Sequence, residues 1–164
     1  MQVQNIFKFD ISSNISKWVI TDDVVMGGRS SGEFYLNEKG NGVFKGHVSL
    51  ENNGGFSSLR YRFPLLDVKP YSKLVLRVKG DGKKYQIRLK TKTLNSHAFV
   101  SYFETSNHWE DIHIDLNTLY PAFRGKKLNI PNFNEDTICQ VAFLIANKKE
   151  EYFKLQIDYI GLMQ

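Results

Sequence analysis

Apolar and polar residues alternate along most of this chain, and this period of two residues restricts the folds that it can adopt. In the segment 56–63, for example, Leu59, Tyr61 and Phe63 share one face and Ser58 lies on the other. Five further segments show the same period: 43–50, 74–78, 85–90, 112–116 and 153–159. One-sided alternation is typical of antiparallel strands with one buried face and one wet face. The chain is therefore predicted to be all-β.

Glycine-dependent turns separate these strands and predict how they are connected. The segment Lys79-Gly80-Asp81-Gly82-Lys83 lies between two strands and is a hairpin signal. Many short strands with regular turns predict a two-sheet antiparallel β-sandwich or jelly roll. The run Cys139–Ile145 is apolar on both faces, which predicts a central strand. The longest irregular segment is expected at Asn117–Asn134, with a short helical turn near Leu119.

Length and composition indicate one domain, residues 1–164, with enough apolar surface for a core. Hydrophobic residues make up 41% of 164 residues, and the net charge of +5 is small and spread along the chain. An anionic partner is compatible with this charge, but nucleic acid is not the expected one.

The single cysteine, Cys139, predicts no internal disulfide and a buried, inert thiol. No signal peptide, transit peptide or membrane span is recognisable, so a cytoplasmic monomer without cofactor is expected.

The sequence shows no constellation that would indicate catalysis. The histidines are separated, without metal-ligand spacing, and no nucleophile elbow or phosphate loop is present. They are His47, His97, His108 and His113. The adjacent carboxylates Asp22 and Asp23 point to opposite faces of an extended chain, although in a loop they could contribute oxygens to a calcium ion. A non-enzymatic protein with no metal is predicted.

Two glycine-containing segments, 18–32 and 44–60, are unusual enough to require an explanation. The first contains a tryptophan, the adjacent carboxylates Asp22 and Asp23 and a double glycine. The second carries side-chain amides and paired glycines at a hairpin tip. Amides and exposed backbone suit hydroxyl-rich ligands, and glycine permits close approach. Tightly packed turns of a jelly roll explain the same residues, and the sequence leaves both interpretations open.

The same segments carry a family resemblance that covers nearly the whole chain. The motif positions are Trp18, Asp23, Met26, Gly27, Gly28, Ser30, Gly54, Gly55, Phe56, Gly80, Asp81, Gly82 and Trp109. In this order they resemble the complex I intermediate-associated protein 30 family. The resemblance implies a galactose-binding-like β jelly roll, similar to some carbohydrate-binding modules. It also implies a protein-interaction or assembly-chaperone role, because the mitochondrial members assist assembly of respiratory complex I.

Alternation also predicts a cationic surface, independently of the family. Arg60, Arg62, Arg77 and Arg88 each oppose apolar positions in nearby segments, so at least three of them are expected on one sheet face near the Asn52–Gly55 turn. Glu51, Asp81 or a bound anion is expected to relieve their mutual repulsion.

The candidate binding residues are these four arginines together with Asn52, Asn53 and Tyr102. Guanidinium groups suit carboxylates, phosphates or stacked rings. A protein partner is the main interpretation. The alternatives are a module for a hydroxylated or anionic glycan on a concave sheet face, and a merely solvated cationic face.

Overall fold

A computed structural model describes residues 2–23, 27–91 and 97–164, apart from the side chain of Asn53. Within this part of the chain there are thirteen β-strands and short 3-10 turns. The strands are β1 (Gln4–Lys8), β2 (Trp18–Asp22), β3 (Ser31–Leu36), β4 (Gly42–Val48), β5 (Ser57–Asp67), β6 (Lys73–Lys79), β7 (Lys84–Lys90), β8 (Ala98–Glu104), β9 (Trp109–Asp115), β10 (Tyr120–Phe123), β11 (Lys126–Lys127), β12 (Thr137–Ile145) and β13 (Glu151–Met163). No helix in the described ranges is long and apolar enough to cross a membrane.

The strands form two antiparallel sheets. The six-stranded sheet has the order β3-β4-β13-β6-β9, with β1 pairing on β13, and the seven-stranded sheet has the order β11-β10-β8-β7-β12-β5-β2. The predicted all-β sandwich is therefore confirmed. The predicted central strand is also confirmed, because β12 lies between β7 and β5.

The core lies between the two sheets and follows the predicted alternation. Leu59, Ile87 and Phe143 of the seven-stranded sheet and Leu76 and Leu155 of the six-stranded sheet are fully buried. Each such side chain contributes about 1.5–3 kcal/mol by leaving water. Trp18 is buried as well and stacks on Tyr61 with a ring-centroid distance of 4.8 Å.

The segment predicted to be irregular is more ordered than expected. A 3-10 turn occupies Leu116–Thr118, just before the predicted position, and β10 and β11 follow within the segment. The alternation rule missed β10 because this strand is only four residues long and contains Pro121. It pairs through Ala122 with Ala98 and so extends the seven-stranded sheet.

Candidate binding face

The outer face of the seven-stranded sheet places side chains from several strands in cross-strand rows. In one row Ala142 of β12 lies between Arg60 of β5 and Arg88 of β7. The row continues to Val100 of β8 beyond Arg88. These side chains point outward because their neighbours Leu59, Phe143 and Ile87 are in the core.

A second row lies two residues further along the same three strands. Gln140 of β12 lies between Arg62 of β5 and Lys90 of β7. Gln140 Oε1 accepts a hydrogen bond of 2.8 Å from Arg62 Nε and so orients that guanidinium. Arg60, Arg62, Arg88 and Lys90 are referred to below as the cationic cluster.

The cationic cluster lacks a compensating charge. In residues 2–23, 27–91 and 97–164 no carboxylate oxygen lies within 4.0 Å of any of its charged nitrogens. The residues outside these ranges include no Asp or Glu. This cluster therefore presents uncompensated positive charge to whatever contacts the sheet.

Burial and mutual repulsion act together on the cluster. Burial lowers the pKa of the Arg88 guanidinium, and burial with the nearby Arg62 charge lowers the pKa of Arg60. Burial also lowers the pKa of Lys90, and the charges of Arg62, Arg88 and Arg60 lower it further. All of these shifts oppose the charged form, and an anion placed among the four groups would relieve them.

A polar and aromatic strip borders the cluster on the β8 side. Gln86 lies opposite Tyr102 in the β7–β8 ladder, and Gln86 Nε2 lies 3.3 Å from the Tyr102 hydroxyl oxygen. The other amide atom, Gln86 Oε1, accepts a hydrogen bond of 2.9 Å from Arg88 Nη1. Lys84 Nζ lies 5.0 Å from the centroid of the Tyr102 ring. Tyr102 is thus the exposed end of a hydrogen-bonded chain that reaches into the cationic cluster.

One predicted member of the arginine face lies elsewhere. Arg77 belongs to β6 of the six-stranded sheet, where it lies 3.2 Å from Asp111 and 3.5 Å from Asp158. Its guanidinium carbon also lies 5.9 Å from the ring centroid of Trp109. The expectation failed for Arg77 because the chain crosses to the other sheet between β5 and β6, although these strands are neighbours in sequence. Arg60, Arg62 and Arg88 do share one face, as predicted.

The two acidic residues expected to relieve the arginines are engaged elsewhere, and the bound anion given as the alternative stays a prediction. The Glu51 carboxylate lies 3.9 Å from Arg29. Asp81 accepts hydrogen bonds of 3.1 Å from the Tyr85 hydroxyl and 2.8 Å from the Lys154 amide. Asp81 therefore holds the Gly80–Gly82 hairpin to β7 and β13.

The two glycine-containing segments are joined by Asp22 and Asp23. Asp23 accepts hydrogen bonds from the amide and hydroxyl of Ser30 and from the amides of Gly55 and Phe56. A Cβ atom at Gly28 would overlap the Asp23 side chain, and one at Gly54 would lie 2.5 Å from Asp23 Oδ2. These motif glycines thus permit the backbone to approach a buried carboxylate.

Asp22 makes a second connection of the same kind. Its two oxygens accept hydrogen bonds from the Gly32 amide, at 2.8 Å, and from the Ser57 hydroxyl, at 2.5 Å. Both carboxylates therefore accept hydrogen bonds from protein donors. In the described part of the chain no group of three His, Cys, Asp or Glu side chains is arranged to hold a metal ion.

The remaining candidates are distributed as follows. Asn52 is exposed with φ 56° in the 3-10 turn Glu51–Asn53, and Gly27 and Gly55 have φ of 90° and 137°. Met26 and the side chain of Asn53 lie outside the described residues. None of these positions belongs to the two rows of the cationic cluster.

Sequence reasoning missed Gln140 and Ala142 as parts of the site, and it turned Lys90 outward without naming it as a candidate. Lys90 alternates with Arg88, so the alternation of β7 carried a signal for it. Gln140 and Ala142 lie in the mostly apolar β12, whose register against β5 and β7 depends on pairing between distant segments. No local pattern encodes that register.

The comparison with protein families agrees with the motif positions. The model of "Complex I intermediate-associated protein 30" matches residues 7–157. The chain belongs to this family. The protein named complex I intermediate-associated protein 30, mitochondrial, of Drosophila melanogaster is 26% identical over 96% of this chain and 62% of its own length. The Mus musculus protein of the same name is 24% identical over 98% of this chain and 56% of its own length. The chain thus spans about three fifths of these relatives.

These relatives correct one prediction. Both are named as mitochondrial proteins, and so are the relatives from two Caenorhabditis species. The prediction of a cytoplasmic location is therefore wrong. It rested on the lack of a recognisable signal peptide, transit peptide or membrane span, which is a weak guide to the compartment.

Solved structures confirm the jelly-roll fold of this member of the complex I intermediate-associated protein 30 family. The family 11 carbohydrate-binding module of the cellulase Lic26A-Cel5E of Clostridium thermocellum has a TM-score of 0.75 at 16% identity, over 99% of this chain and 95% of its own. A second structure of a family 11 module from that organism, in complex with a β-1,3-1,4-mixed-linked tetrasaccharide, has a TM-score of 0.72 at 17% identity over 95% and 94% of the two chains. At this identity the likeness establishes the galactose-binding-like fold.

Proposed function

We propose that this chain is a non-catalytic protein-binding domain that takes part in the assembly of respiratory complex I. Its membership of the complex I intermediate-associated protein 30 family supports this role. The observation that carries the proposal is the cationic cluster, in which Arg60, Arg62, Arg88 and Lys90 face outward on one sheet without a carboxylate partner in the described ranges or an acidic residue outside them.

The chemistry of this face suits binding better than proton transfer. Arginine stays protonated at neutral pH, so a guanidinium can hold an anion but cannot act as a general base there. Two of the three carboxylates in the glycine-containing segments, Asp22 and Asp23, accept hydrogen bonds from Ser57 and Ser30 and from nearby amides. The third, Glu51, lies 3.9 Å from Arg29. The groups of the cationic cluster and of the strip beside it are cations, amides and a tyrosine ring, which are typical of interfaces.

Recovery of complex I subunits with the tagged full chain tests this proposal. We expect the chain to co-purify with assembly intermediates of complex I, with their subunits quantified by mass spectrometry. The variant Arg60→Gln/Arg88→Gln should recover less of them. The control is Arg77→Gln, which removes an arginine from the other sheet and should recover the same amount as the wild type. Equal recovery by all three proteins would show that the cationic cluster plays no part in the function. Recovery of no complex I subunit would contradict the assembly role.

A second candidate function, binding of a hydroxylated or anionic glycan, is favoured by the strip beside the cluster. Tyr102 is 45% exposed and is linked to Gln86, so a ring face and an amide lie side by side as sugar binding requires. One structural neighbour was solved with a mixed-linked tetrasaccharide. A glycan array with wild type and Tyr102→Ala tests this candidate, because glycan binding should be saturable and depend on Tyr102.

A further inference from the structure

We propose that the cationic cluster receives an extended acidic polypeptide segment lying along β12, with carboxylates at alternate positions. This inference rests on the proposed function, since it specifies which partner chemistry the sheet face would recognise. The cluster consists of two cation pairs, Arg60 with Arg88 and Arg62 with Lys90, and each pair flanks a residue of β12.

The spacing of the two pairs matches that of side chains on an extended peptide. The two members of each pair lie on strands separated only by β12, so their backbones are about 9.5 Å apart. Arg60 and Arg62 are two residues apart on β5, as are Arg88 and Lys90 on β7, which corresponds to about 6.8 Å along the strands. Alternate side chains of an extended peptide have this same spacing. Two carboxylates at positions i and i+2 could therefore each lie between one pair of cations.

The floor between the pairs consists of a short side chain and a hydrogen-bonded one. Ala142, between Arg60 and Arg88, has no side chain beyond Cβ and is 7% exposed, and Gln140, in the next row, is 8% exposed. The Gln140 amide is hydrogen-bonded to Arg62 Nε, so it holds that guanidinium in place while other guanidinium N–H groups remain available. An anion above β12 would thus meet oriented donors from both sides.

The surroundings favour a polypeptide over nucleic acid or a glycan. Single-stranded nucleic acid is bound by basic grooves whose aromatic side chains stack on successive bases. Here the residues between the cations are Ala142 and Gln140, and Tyr102 lies beyond Arg88 on β8. The neighbour of Arg60 on the far side is Val19, an apolar side chain that is 41% exposed. A cationic centre with an exposed aliphatic side chain at its edge is suited to an acidic peptide.

Titration of the full chain with synthetic peptides tests the inference. The probe peptide carries glutamates at alternate positions, and the control peptide carries the same number of glutamates as adjacent pairs. We expect saturable binding of the probe that weakens as salt rises, because the contacts are partly exposed. Arg60→Gln/Arg88→Gln should weaken binding by about tenfold, because the variant loses both cations that flank Ala142. Arg77→Gln should bind like the wild type.

A second variant separates loss of the site from loss of the fold. In Ala142→Glu a carboxylate would lie between Arg60 and Arg88 and occupy the site from within. We expect this variant to lose peptide binding while its urea-denaturation midpoint stays equal or rises. A lower midpoint with intact peptide binding would overturn the inference.

The peptide and competition results decide between partner classes. Equal affinity for the alternate and paired peptides would overturn the predicted extended register. Tighter binding of an oligonucleotide of equal charge, or displacement of the probe by mixed-linked glucan alone, would overturn the acidic-peptide assignment. Co-purification with complex I intermediates that persists without peptide binding would leave the proposed function standing and refute only this inference.

Discussion

The amide of Gly55 donates a hydrogen bond of 2.5 Å to Asp23 Oδ2, although the two residues are 32 positions apart in the chain. Asp23 is 1% exposed and also accepts hydrogen bonds from the backbone and side chain of Ser30. One buried carboxylate thus joins the loop after β2 to the turn before β5. The acidic position and the paired glycines of the family motif therefore belong to a single structural unit.

Replacing Asp23 by asparagine should destabilise the protein strongly. The side-chain amide of asparagine would point its own N–H groups at some of the N–H and O–H donors that now bond to the carboxylate. Buried backbone amides would then be left without acceptors. We expect a loss of about 2–4 kcal/mol, because hydrogen bonds to a buried charge are among the stronger ones. Urea denaturation followed by tryptophan fluorescence measures this loss. A variant with an unchanged midpoint would show that water replaces the carboxylate without penalty.

The same carboxylate should make stability depend on pH in the acidic range. Burial raises the pKa of Asp23, but hydrogen bonds from Ser30, Gly55 and Phe56 together outweigh this effect and lower the pKa below its ordinary value. The stabilisation is therefore complete above the unfolded pKa of about 3.9 and is lost as pH falls through the lower folded pKa. Between about pH 5 and about pH 2 the wild type should lose stability more steeply than Asp23→Asn. Parallel pH profiles of the two proteins would contradict this assignment.

Gly55 should not tolerate a β-branched residue. Its φ is 137°, in the region that L side chains rarely adopt, and a Cβ atom would lie 3.4 Å from Leu50 Cδ2. We expect Gly55→Val to reduce the free energy of unfolding by about 1–3 kcal/mol. Thermal unfolding measures the effect. An unchanged melting temperature would show that the turn adopts another conformation at no cost.

Asp81 and Tyr85 should be energetically coupled. The buried Tyr85 hydroxyl lies 3.1 Å from both Asp81 oxygens, and burial followed by the Asp81 charge raises the pKa of Tyr85. We expect Asp81→Ala to cost about 1–3 kcal/mol, and the cost should shrink in a Tyr85→Phe background, where no hydroxyl is left unpaired. A double-mutant cycle by urea denaturation measures this difference, and strictly additive losses would exclude the coupling.

The sequence was sufficient to predict the sandwich and half of the site. Alternation placed Leu59 and Ile87 inward, and the same pattern therefore turned Arg60, Arg62 and Arg88 outward. The central position of β12 followed from its apolar run. These features depend on local periodicity, which a single sequence records directly.

The remainder of the site depends on relationships that local periodicity does not record. Arg77 has the same alternation as Arg60, but the crossover between β5 and β6 places it in the other sheet. Ala142 and Gln140 join the cluster only through the register of β12 against β5, across about eighty residues of sequence. The same topology places the carboxylates of Asp111 and Asp158 beside Arg77. Among the described residues it places no carboxylate within 4.0 Å of the Arg60 guanidinium.

Site-specific photo-crosslinking tests the central claim most directly. A photoreactive phenylalanine analogue would replace Tyr102 on the seven-stranded sheet or, as a control, Tyr152 on the six-stranded sheet, which is 76% exposed. We expect complex I subunits to be captured from position 102 and not from position 152, and capture should fall when Arg60→Gln/Arg88→Gln is added. Capture of complex I subunits only from position 152 would contradict the assignment of the cationic cluster as the binding site.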